Sequence, residues 1–166
     1  VYSNTGGQAS KASNMGQVAQ FAAAGKAIGK KSLAEIAMSY GYVYVAQVAM
    51  GADMNQLMKA LTEAEAYHGP SLIIGYAPCE MHGIKGGMQN CQLEMKRAVD
   101  AGYWLMFRYN PTLESGKLIV DSKEPTTDYT KFIESENRYA RLEASNPARA
   151  AVLFEKAKEN AAAHYQ

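Results

Sequence analysis

The pattern of apolar positions over residues 32–77 predicts a strand–helix–strand unit. Residues 42–49 (YVYVAQVA) are aromatic and β-branched, which is typical of a buried strand. Residues 54–67 carry apolar side chains at helical spacing, and residues 71–77 (SLIIGYA) form a second apolar run. Because a connection of this length suits a right-handed crossover, we expect the two strands to be parallel.

Capping residues predict where the helices of this region begin. Ser32 and Glu35 have the spacing of a capping box before a helix over 33–40, and Asp53 and Gln56 repeat that spacing before the helix at 54–67. Gly41 is predicted to end the first helix, and the segment 68–70 (HGP) the second.

The rest of the chain predicts further strands followed by a helical end. We expect a helix over 87–101, strands over 104–109 and 118–120, and helices near 128–135 and 137–144. Asn146 followed by Pro147 predicts a last helix that runs to about residue 164. The expected fold class is α/β with a parallel sheet and a helical C-terminal extension.

Composition limits the classes of function. The 166 residues include 17 basic and 16 acidic side chains, and a net charge of +1 argues against a dedicated nucleic-acid or membrane-surface protein. No apolar run approaches the roughly 20 residues of a membrane span, and no signal peptide is visible. The chain begins at Val1, so we expect a processed product or a proteolytic or engineered piece of a longer protein.

The charge is unevenly distributed. The first 34 residues sum to +4 and contain no acid, whereas the remainder sums to −3. The opening segment is also rich in Gly, Ser and Asn, which predicts a long loop. Such a loop could face an anionic ligand such as a diphosphate, or it could be a mobile terminus. Its Asn4–Gly7 segment offers an amide and glycine backbone to a phosphate, but it also resembles an ordinary turn.

Cys79 is the main candidate for chemistry. It follows Pro78 beyond the carboxyl end of a predicted strand, where α/β sheets gather ligands. The alternative is that Cys79 is simply a small buried residue, and for Cys91, inside a predicted helix, we expect packing. Two cysteines cannot complete a four-thiolate site. The histidines, His68, His82 and His164, lack the spacing of a zinc motif.

Seven segments resemble pyruvate:ferredoxin (flavodoxin) oxidoreductase, in the C-terminal part of its thiamine-diphosphate-binding domain. They occur in order over nearly the whole chain: VYSNTGGQ (1–8), SYGYVYVAQVAMGA (39–52), GPSLIIGYAPC (69–79), HGIKGG (82–87), AGYW (101–104), RYNP (108–111) and DSKEPT (121–126). The resemblance implies the parallel-sheet thiamine-diphosphate-binding fold over 1–122 and a helical C-terminal extension over 123–166.

The same resemblance implies a reaction and partners. Family members are much longer chains, usually cytoplasmic homodimers, that decarboxylate pyruvate on thiamine diphosphate. Electrons leave through [4Fe–4S] clusters to ferredoxin or flavodoxin, and the acetyl group passes to coenzyme A. No nucleic acid or membrane partner is implied.

Site residues are carried over from the family's motifs. The resemblance implies that the backbone carbonyl of Val1 binds Mg²⁺ and that Asn4 is the active-site amide beside the thiazolium. Ser3, Thr5 and Gly6 would line the cofactor. Cys79 would be one ligand of the proximal [4Fe–4S] cluster, whereas Cys91 matches no ligand.

Parts of the family's machinery are missing from these 166 residues. The Gly-Asp-Gly half of the cofactor motif and the other three cluster cysteines have no match here. We therefore expect the chain alone to be inactive. The alternatives are an oxidoreductase for another 2-oxoacid and a non-catalytic scaffold domain of the same fold.

Overall fold

The computed structural model describes Tyr2 and residues 5–165, and these residues form two compact units. The sheet unit comprises Ser32–Ala77 and Asn90–Thr127. The helical unit comprises the described residues of Val1–Lys31, Pro78–Gln89 and Asp128–Gln166. The expected boundary between a cofactor-binding domain (1–122) and a helical extension (123–166) stays a prediction, because these compact units are not the same thing as the domains of a family.

The sheet unit contains four strands and three helices. In chain order they are α1 (Leu33–Ser39), β1 (Tyr44–Val48), α2 (Met54–Ala66), β2 (Ser71–Gly75), α3 (Cys91–Asp100), β3 (Phe107–Tyr109) and β4 (Leu118–Val120). A short 3₁₀ turn, Met88–Asn90, precedes α3. The strand order in the sheet is β2-β1-β3-β4.

The sheet is mixed. β1 and β2 are parallel, with Tyr44 opposite Ser71, so the α/β class and the predicted crossover through α2 are confirmed. β3 runs antiparallel to β1, and β4 runs antiparallel to β3. The loop of residues 110–117 between β3 and β4 closes with a hydrogen bond of 2.8 Å from the Asn110 amide to the Lys117 carbonyl. Strands connected directly in this way are antiparallel neighbours.

The predicted caps form. The Ser32 hydroxyl accepts a hydrogen bond from the Glu35 amide at 3.2 Å, and the Asp53 carboxylate accepts from the amides of Asn55 and Gln56. Gly51, in the turn before α2, approaches the backbone carbonyl of Gln92 so closely that a Cβ atom would collide with it. The turn therefore requires glycine to pack against the start of α3.

Side chains of β1 alternate between two apolar clusters. Val45 packs with Ala34 and Ala37 of α1 and with Phe107 of β3. A second cluster, which includes α2, is formed by Tyr44, Ala46, Val48 and Ala60. The period of two in β1 thus buries both faces of this strand, which is why its sequence is almost continuously apolar.

A buried arginine connects the second cluster to the end of β4. The guanidinium of Arg108 binds two carboxylates. Its Nε and Nη2 donate hydrogen bonds to Asp121 at 2.9 and 2.8 Å, and its Nη1 donates one to Glu63 at 2.5 Å. The Tyr44 hydroxyl donates to the other oxygen of Glu63 at 2.9 Å. Strands β1 and β3, helix α2 and the residue after β4 are joined by this network.

The network shifts the acidity of its members. Burial acts to raise the pKa of the Asp121 carboxyl, but hydrogen bonds from Arg108 and Gln56 outweigh it and hold that pKa below its ordinary value. Burial and the hydrogen bond to Glu63 raise the pKa of Tyr44, so its phenol stays protonated. The Asp121 carboxyl therefore stays ionised to a lower pH than an ordinary aspartate.

The helical unit begins with a loop and ends with three helices. Its helices are α4 (Tyr129–Ile133), α5 (Asn137–Ser145) and α6 (Pro147–Ala163), and Asn146 caps α6 as predicted. Described residues before Lys31 form turns and isolated bridges but no helix or longer strand. Gly25 packs against Leu142 of α5. Its φ is +74°, and a Cβ atom at this position would lie 2.7 Å from a methyl group of Leu142.

None of the helices in the described part of the chain combines the length and apolar character that crossing a bilayer requires.

We predict that Asp121→Asn destabilises the sheet unit by about 1.5–3 kcal/mol at neutral pH, since Arg108 loses its hydrogen bonds to one of two charged carboxylates. Because the folded pKa of Asp121 is depressed, its stabilisation is complete above the unfolded value of about 4 and disappears as pH falls through the folded value. Denaturant unfolding between about pH 3 and pH 7 measures both effects.

The matched control is Glu65→Gln, an exposed carboxylate on α2. It should leave stability and its acid dependence unchanged. If the free energy of unfolding falls equally at acid pH in wild type and Asp121→Asn, Asp121 does not contribute to the pH dependence of stability.

Candidate functional site

Cys79 lies in a compact loop of the helical unit. The Gly83 amide donates a hydrogen bond of 2.9 Å to the Cys79 carbonyl, and Gly83 has a φ of +72°, which closes the turn. The Asn137 side chain donates to the His82 carbonyl at 2.9 Å, and the Lys85 amide donates to the Ser135 carbonyl. These bonds fix the loop to the start of α5 and hold the thiol half-buried.

The side chain of His82 contacts this thiol. Its Nδ1 lies 3.1 Å from the Cys79 Sγ, and only 5% of the residue is exposed. Burial lowers the pKa of His82, and the positive charges of Arg138 and Arg141 lower it further, although a hydrogen bond to the Val18 backbone opposes them. The imidazole is therefore neutral near pH 7, which suits a short contact with sulfur.

An open pocket of about 530 Å³ borders Cys79. Its wall includes two polar residues from the N-terminal loop, Ser13 and Gln17, both buried. Arg138 from α5 supplies a positive charge, and the exposed Glu80 supplies a negative one. The other lining residues are Ala12 and Met81. A thiol, a guanidinium and two polar side chains thus share one concave surface.

Arg138 is backed by a carboxylate. Its Nε lies 2.8 Å from Glu136 Oε2, and Glu136 is fully buried. Glu136 does not line the pocket, whereas Arg138 does. The arginine of the pocket wall therefore belongs to a buried ion pair.

A lysine organises the N-terminal loop. Lys26 Nζ donates to the backbone carbonyls of Lys11, Ser13 and Gly29 at 2.8, 2.5 and 3.2 Å. The Val18 amide donates to the Arg138 carbonyl at 2.8 Å, which joins the loop to α5. One of the four lysines in the basic segment is thus committed to holding the loop together, and this loop carries Ser13 and Gln17 into the pocket wall.

The turn near the N-terminus contacts the Cys79 loop. Tyr2 and Gln8 pair as an antiparallel bridge around Gly6 and Gly7, which both have a φ of +98°. A Cβ on Gly7 would lie 2.8 Å from the terminal methyl group of Met81, and the φ of +98° is the feature that favours glycine at this position. The Thr5 hydroxyl donates to the Gln8 side chain at 2.6 Å and is exposed.

The predicted site residues are only partly described. Val1, Ser3 and Asn4 lie outside the described residues, so their roles stay predictions. Thr5 and Gly6 lie on the N-terminal turn, and Cys79 lies in the loop that this turn contacts through Met81. Cys91 is the first residue of α3 in the sheet unit. Among the described residues no group of three or more His, Cys, Asp or Glu side chains could hold a metal.

Sequence reasoning missed three residues of the pocket wall, Ser13, Gln17 and Arg138, and it missed His82 as the partner of the Cys79 thiol. For His82, the spacing of three residues from Cys79 was a usable signal, because one tight turn brings such a pair together. The other three come from distant segments, and no local pattern distinguishes them from ordinary loop or helix residues.

Comparison with known proteins gives a consistent result. Pyruvate:ferredoxin oxidoreductase of Moorella thermoacetica is 56% identical over the whole chain, and pyruvate-flavodoxin oxidoreductase of Klebsiella pneumoniae is 52% identical over 99% of it. The mitochondrial NADP⁺ pyruvate dehydrogenase of Euglena gracilis is 46% identical over 99%. No family model matches the chain.

The predicted resemblance is therefore confirmed: the chain is homologous over its whole length to a segment of these pyruvate oxidoreductases. It spans 14% of the length of the Moorella and Klebsiella proteins and 9% of the Euglena protein. The chain corresponds to one section of much longer enzymes.

We predict that Lys26→Met loosens the N-terminal loop. The substitution leaves three carbonyls without their common donor, at a cost on the order of 2 kcal/mol. Amide hydrogen exchange should rise over residues 11–29 and stay unchanged in β1 and β2. Lys31→Met, which removes an exposed lysine from the same loop, should change neither region. Unaltered exchange in Lys26→Met would show that the ammonium does not organise the loop.

Proposed function

We propose that this chain is the C-terminal part of the thiamine-diphosphate-binding domain of a pyruvate:ferredoxin or pyruvate:flavodoxin oxidoreductase. The whole enzyme would oxidatively decarboxylate pyruvate to acetyl-coenzyme A and CO₂, as a cytoplasmic homodimer. The observation that carries this proposal is the 56% identity over the entire chain to the Moorella enzyme.

When bound, thiamine diphosphate stabilises the carbanion and the iron–sulfur cluster carries single electrons. The chain's own residues would hold and orient these groups. The Val1 carbonyl would provide a hard oxygen ligand for Mg²⁺, and the Asn4 amide would donate a hydrogen bond to charge on the substrate. Ser3, Thr5 and Gly6 would line the cofactor.

The described part of the N-terminal turn is compatible with a bound diphosphate. Thr5 is exposed, and the positive φ of Gly6 allows the backbone to approach a ligand without a side chain in between. Lys26 is occupied by three carbonyls and is not available as a counterion. The backbone of this turn, rather than that lysine, would have to contact the phosphates.

Cys79 would supply one of the four thiolate ligands of a cluster. A thiolate is the ligand that [4Fe–4S] clusters use, and this thiol borders a pocket of about 530 Å³. Because the described residues provide no further set of metal-binding side chains, the remaining three ligands would come from other segments of the longer protein.

The contact between Gly7 and Met81 supports the same proposal. It places the turn that would hold the thiamine cofactor against the loop that contains Cys79. Electron transfer between the two groups would benefit from this arrangement. Met81 is two residues from Cys79, so this contact lies close in sequence to the thiol.

The electron acceptor would be selected elsewhere in the protein. The relatives differ in the acceptor that their names give, with ferredoxin, flavodoxin and NADP⁺ all represented, yet each matches this chain along nearly its whole length. The same segment therefore accompanies several acceptors. The choice of 2-oxoacid would likewise depend mostly on residues outside these 166.

We predict that Cys79→Ala in the full-length oxidoreductase removes one cluster, because a four-thiolate site loses a ligand. Iron content should fall by the amount of one cluster, and electron transfer should fail, while thiamine diphosphate still binds. Iron analysis, electron paramagnetic resonance and cofactor binding measure the three effects.

The matched control is Cys91→Ala, which removes the other free thiol of the chain. It should keep both iron and activity. Full iron content and normal spectra in Cys79→Ala would exclude Cys79 as a ligand.

We also predict that the isolated 166-residue chain is inactive, because half of the cofactor motif and three cluster ligands are absent from it. An assay of coenzyme A-dependent pyruvate oxidation with added thiamine diphosphate, Mg²⁺ and an electron acceptor tests this. Turnover by the chain alone would refute it.

A further inference from the structure

Strand β2 lies at an edge of the sheet, but its sequence is typical of an interior strand. Among the described residues it pairs only with β1. Its sequence, SLIIG, has three large apolar side chains in succession, and no Asp, Glu, Lys or Arg occurs over residues 66–79. Edge strands usually carry charges or are very short, which prevents pairing with further strands. A continuous apolar run is typical of a parallel strand that is covered on both faces.

The other edge of the sheet has the protection that β2 lacks. β4 is only three residues long, and the charged residues Lys117 and Asp121 flank it directly. Both features discourage the addition of a strand. Of the two edge strands, β2 is therefore the one whose sequence favours a further neighbour.

The backbone of β2 has hydrogen-bonding groups along its outer edge. The Tyr44 amide donates to the Pro70 carbonyl and the Tyr76 amide to the Val48 carbonyl, both at 3.0 Å. Successive residues of a strand direct their amides and carbonyls to alternate sides, so the even-numbered residues of this segment face β1. The groups that point away from β1 are those of Ser71, Ile73 and Gly75.

An apolar stripe of α2 lies beside this edge. On one side of the helix, Gln56 and Glu63 reach Asp121 and Arg108, which belong to the β3 and β4 end of the sheet. Because the helix has 3.6 residues per turn, the opposite side is directed toward β2. That side contains three apolar residues that are 44–54% exposed, Met54, Met58 and Leu61. We call these three residues the α2 stripe.

Gly75 leaves room next to this surface. Its φ is not positive, and a Cβ atom at this position would meet nothing closer than a methyl group of Val48 at 3.9 Å. Neither the backbone conformation nor the packing of the described residues therefore requires glycine here. Glycine within a strand often marks a place where another backbone approaches closely.

We propose that the outer edge of β2 and the α2 stripe form the docking surface for a further strand of the same polypeptide, from a section of the enzyme outside these 166 residues. The chain matches only 14% of the length of its Moorella relative, so most of such a polypeptide lies outside it. A covalently attached strand has an effective concentration on the order of millimolar, which favours it over a separate copy of the chain. The added strand would pair with Ile73 and Gly75 and cover the α2 stripe with apolar side chains.

Amide hydrogen exchange of the wild-type, full-length oxidoreductase tests the pairing. The amides of Ile73 and Gly75 should exchange as slowly as those of Leu72 and Ile74, which face β1. Electron-transfer fragmentation of the peptide in the mass spectrometer resolves the four amides. If Ile73 and Gly75 exchange like unstructured amides while Leu72 and Ile74 stay slow, the outer edge of β2 is open and the inference is overturned.

Two substitutions in the full-length enzyme separate the amide from the side chain. Ile73→Ala removes side-chain contacts and keeps the N–H group, whereas Ile73→Pro also removes the donor. Because proline is tolerated where the N–H of an edge strand faces solvent, Ile73→Pro should accelerate exchange in β1 and β2 beyond Ile73→Ala only if a strand is paired there. Equal exchange in the two variants would contradict the pairing. If Ile73→Pro does not fold, the wild-type measurement still decides.

Photochemical cross-linking identifies the occupant. Met58 is replaced by benzoylphenylalanine in the full-length chain, and we expect a cross-link within one polypeptide to a segment outside these 166 residues. The same probe at the exposed Lys59, about 100° around the helix, should give much less of this product. A link between two polypeptides would assign the surface to a second copy. That result, a link only within the 166 residues, or no link at all would overturn the inference.

The inference depends on membership in a longer enzyme and not on the chemistry proposed for it. None of the three measurements involves iron, thiamine diphosphate or Cys79. The docking surface can therefore fail while the proposed function holds, and Cys79→Ala can retain its iron while the added strand is still found.

Discussion

The sheet unit depends on one buried cation. Arg108 binds Asp121 through two hydrogen bonds and Glu63 through one, so strand β3 is joined both to α2 and to the residue after β4. Burying a guanidinium is costly without compensating charge, and here two carboxylates supply it. The pairing of β3 with β1 brings Arg108 opposite Ala46, a small residue that leaves room for this network above β1.

The helical unit is held together differently. Its N-terminal loop has almost no regular secondary structure, and its backbone carbonyls converge on the Lys26 ammonium instead of on a neighbouring strand. Glycines then supply the positive φ that its turns require, at Gly25 beside Leu142 and at Gly7 beside Met81. A loop assembled in this way can present polar groups such as Ser13 in a pocket wall at fixed positions, which is what a cofactor-binding surface requires.

The sequence predicts those structural features that depend on residues close together in the chain. Caps at Ser32, Asp53 and Asn146 and the apolar periods located the helices and strands closely, because these patterns act within a few residues. The direction of β3 was not predictable, because it depends on a hairpin with β4 and on the distant partners of Arg108. Cys79 was found from its position after a strand and from resemblance, whereas Arg138 joins it only through tertiary folding.

The coordination of Lys26 resembles that of a monovalent cation in a ring of carbonyl dipoles, except that this cation is covalently tethered to the chain. A tethered ion cannot be diluted away or exchanged, so the loop keeps its shape whatever the potassium or sodium concentration of its surroundings. Covalent modification of the Lys26 side chain, in contrast, would disrupt the loop. Acylation of Nζ would abolish the charge and enlarge the head group, and the carbonyls would then turn toward water.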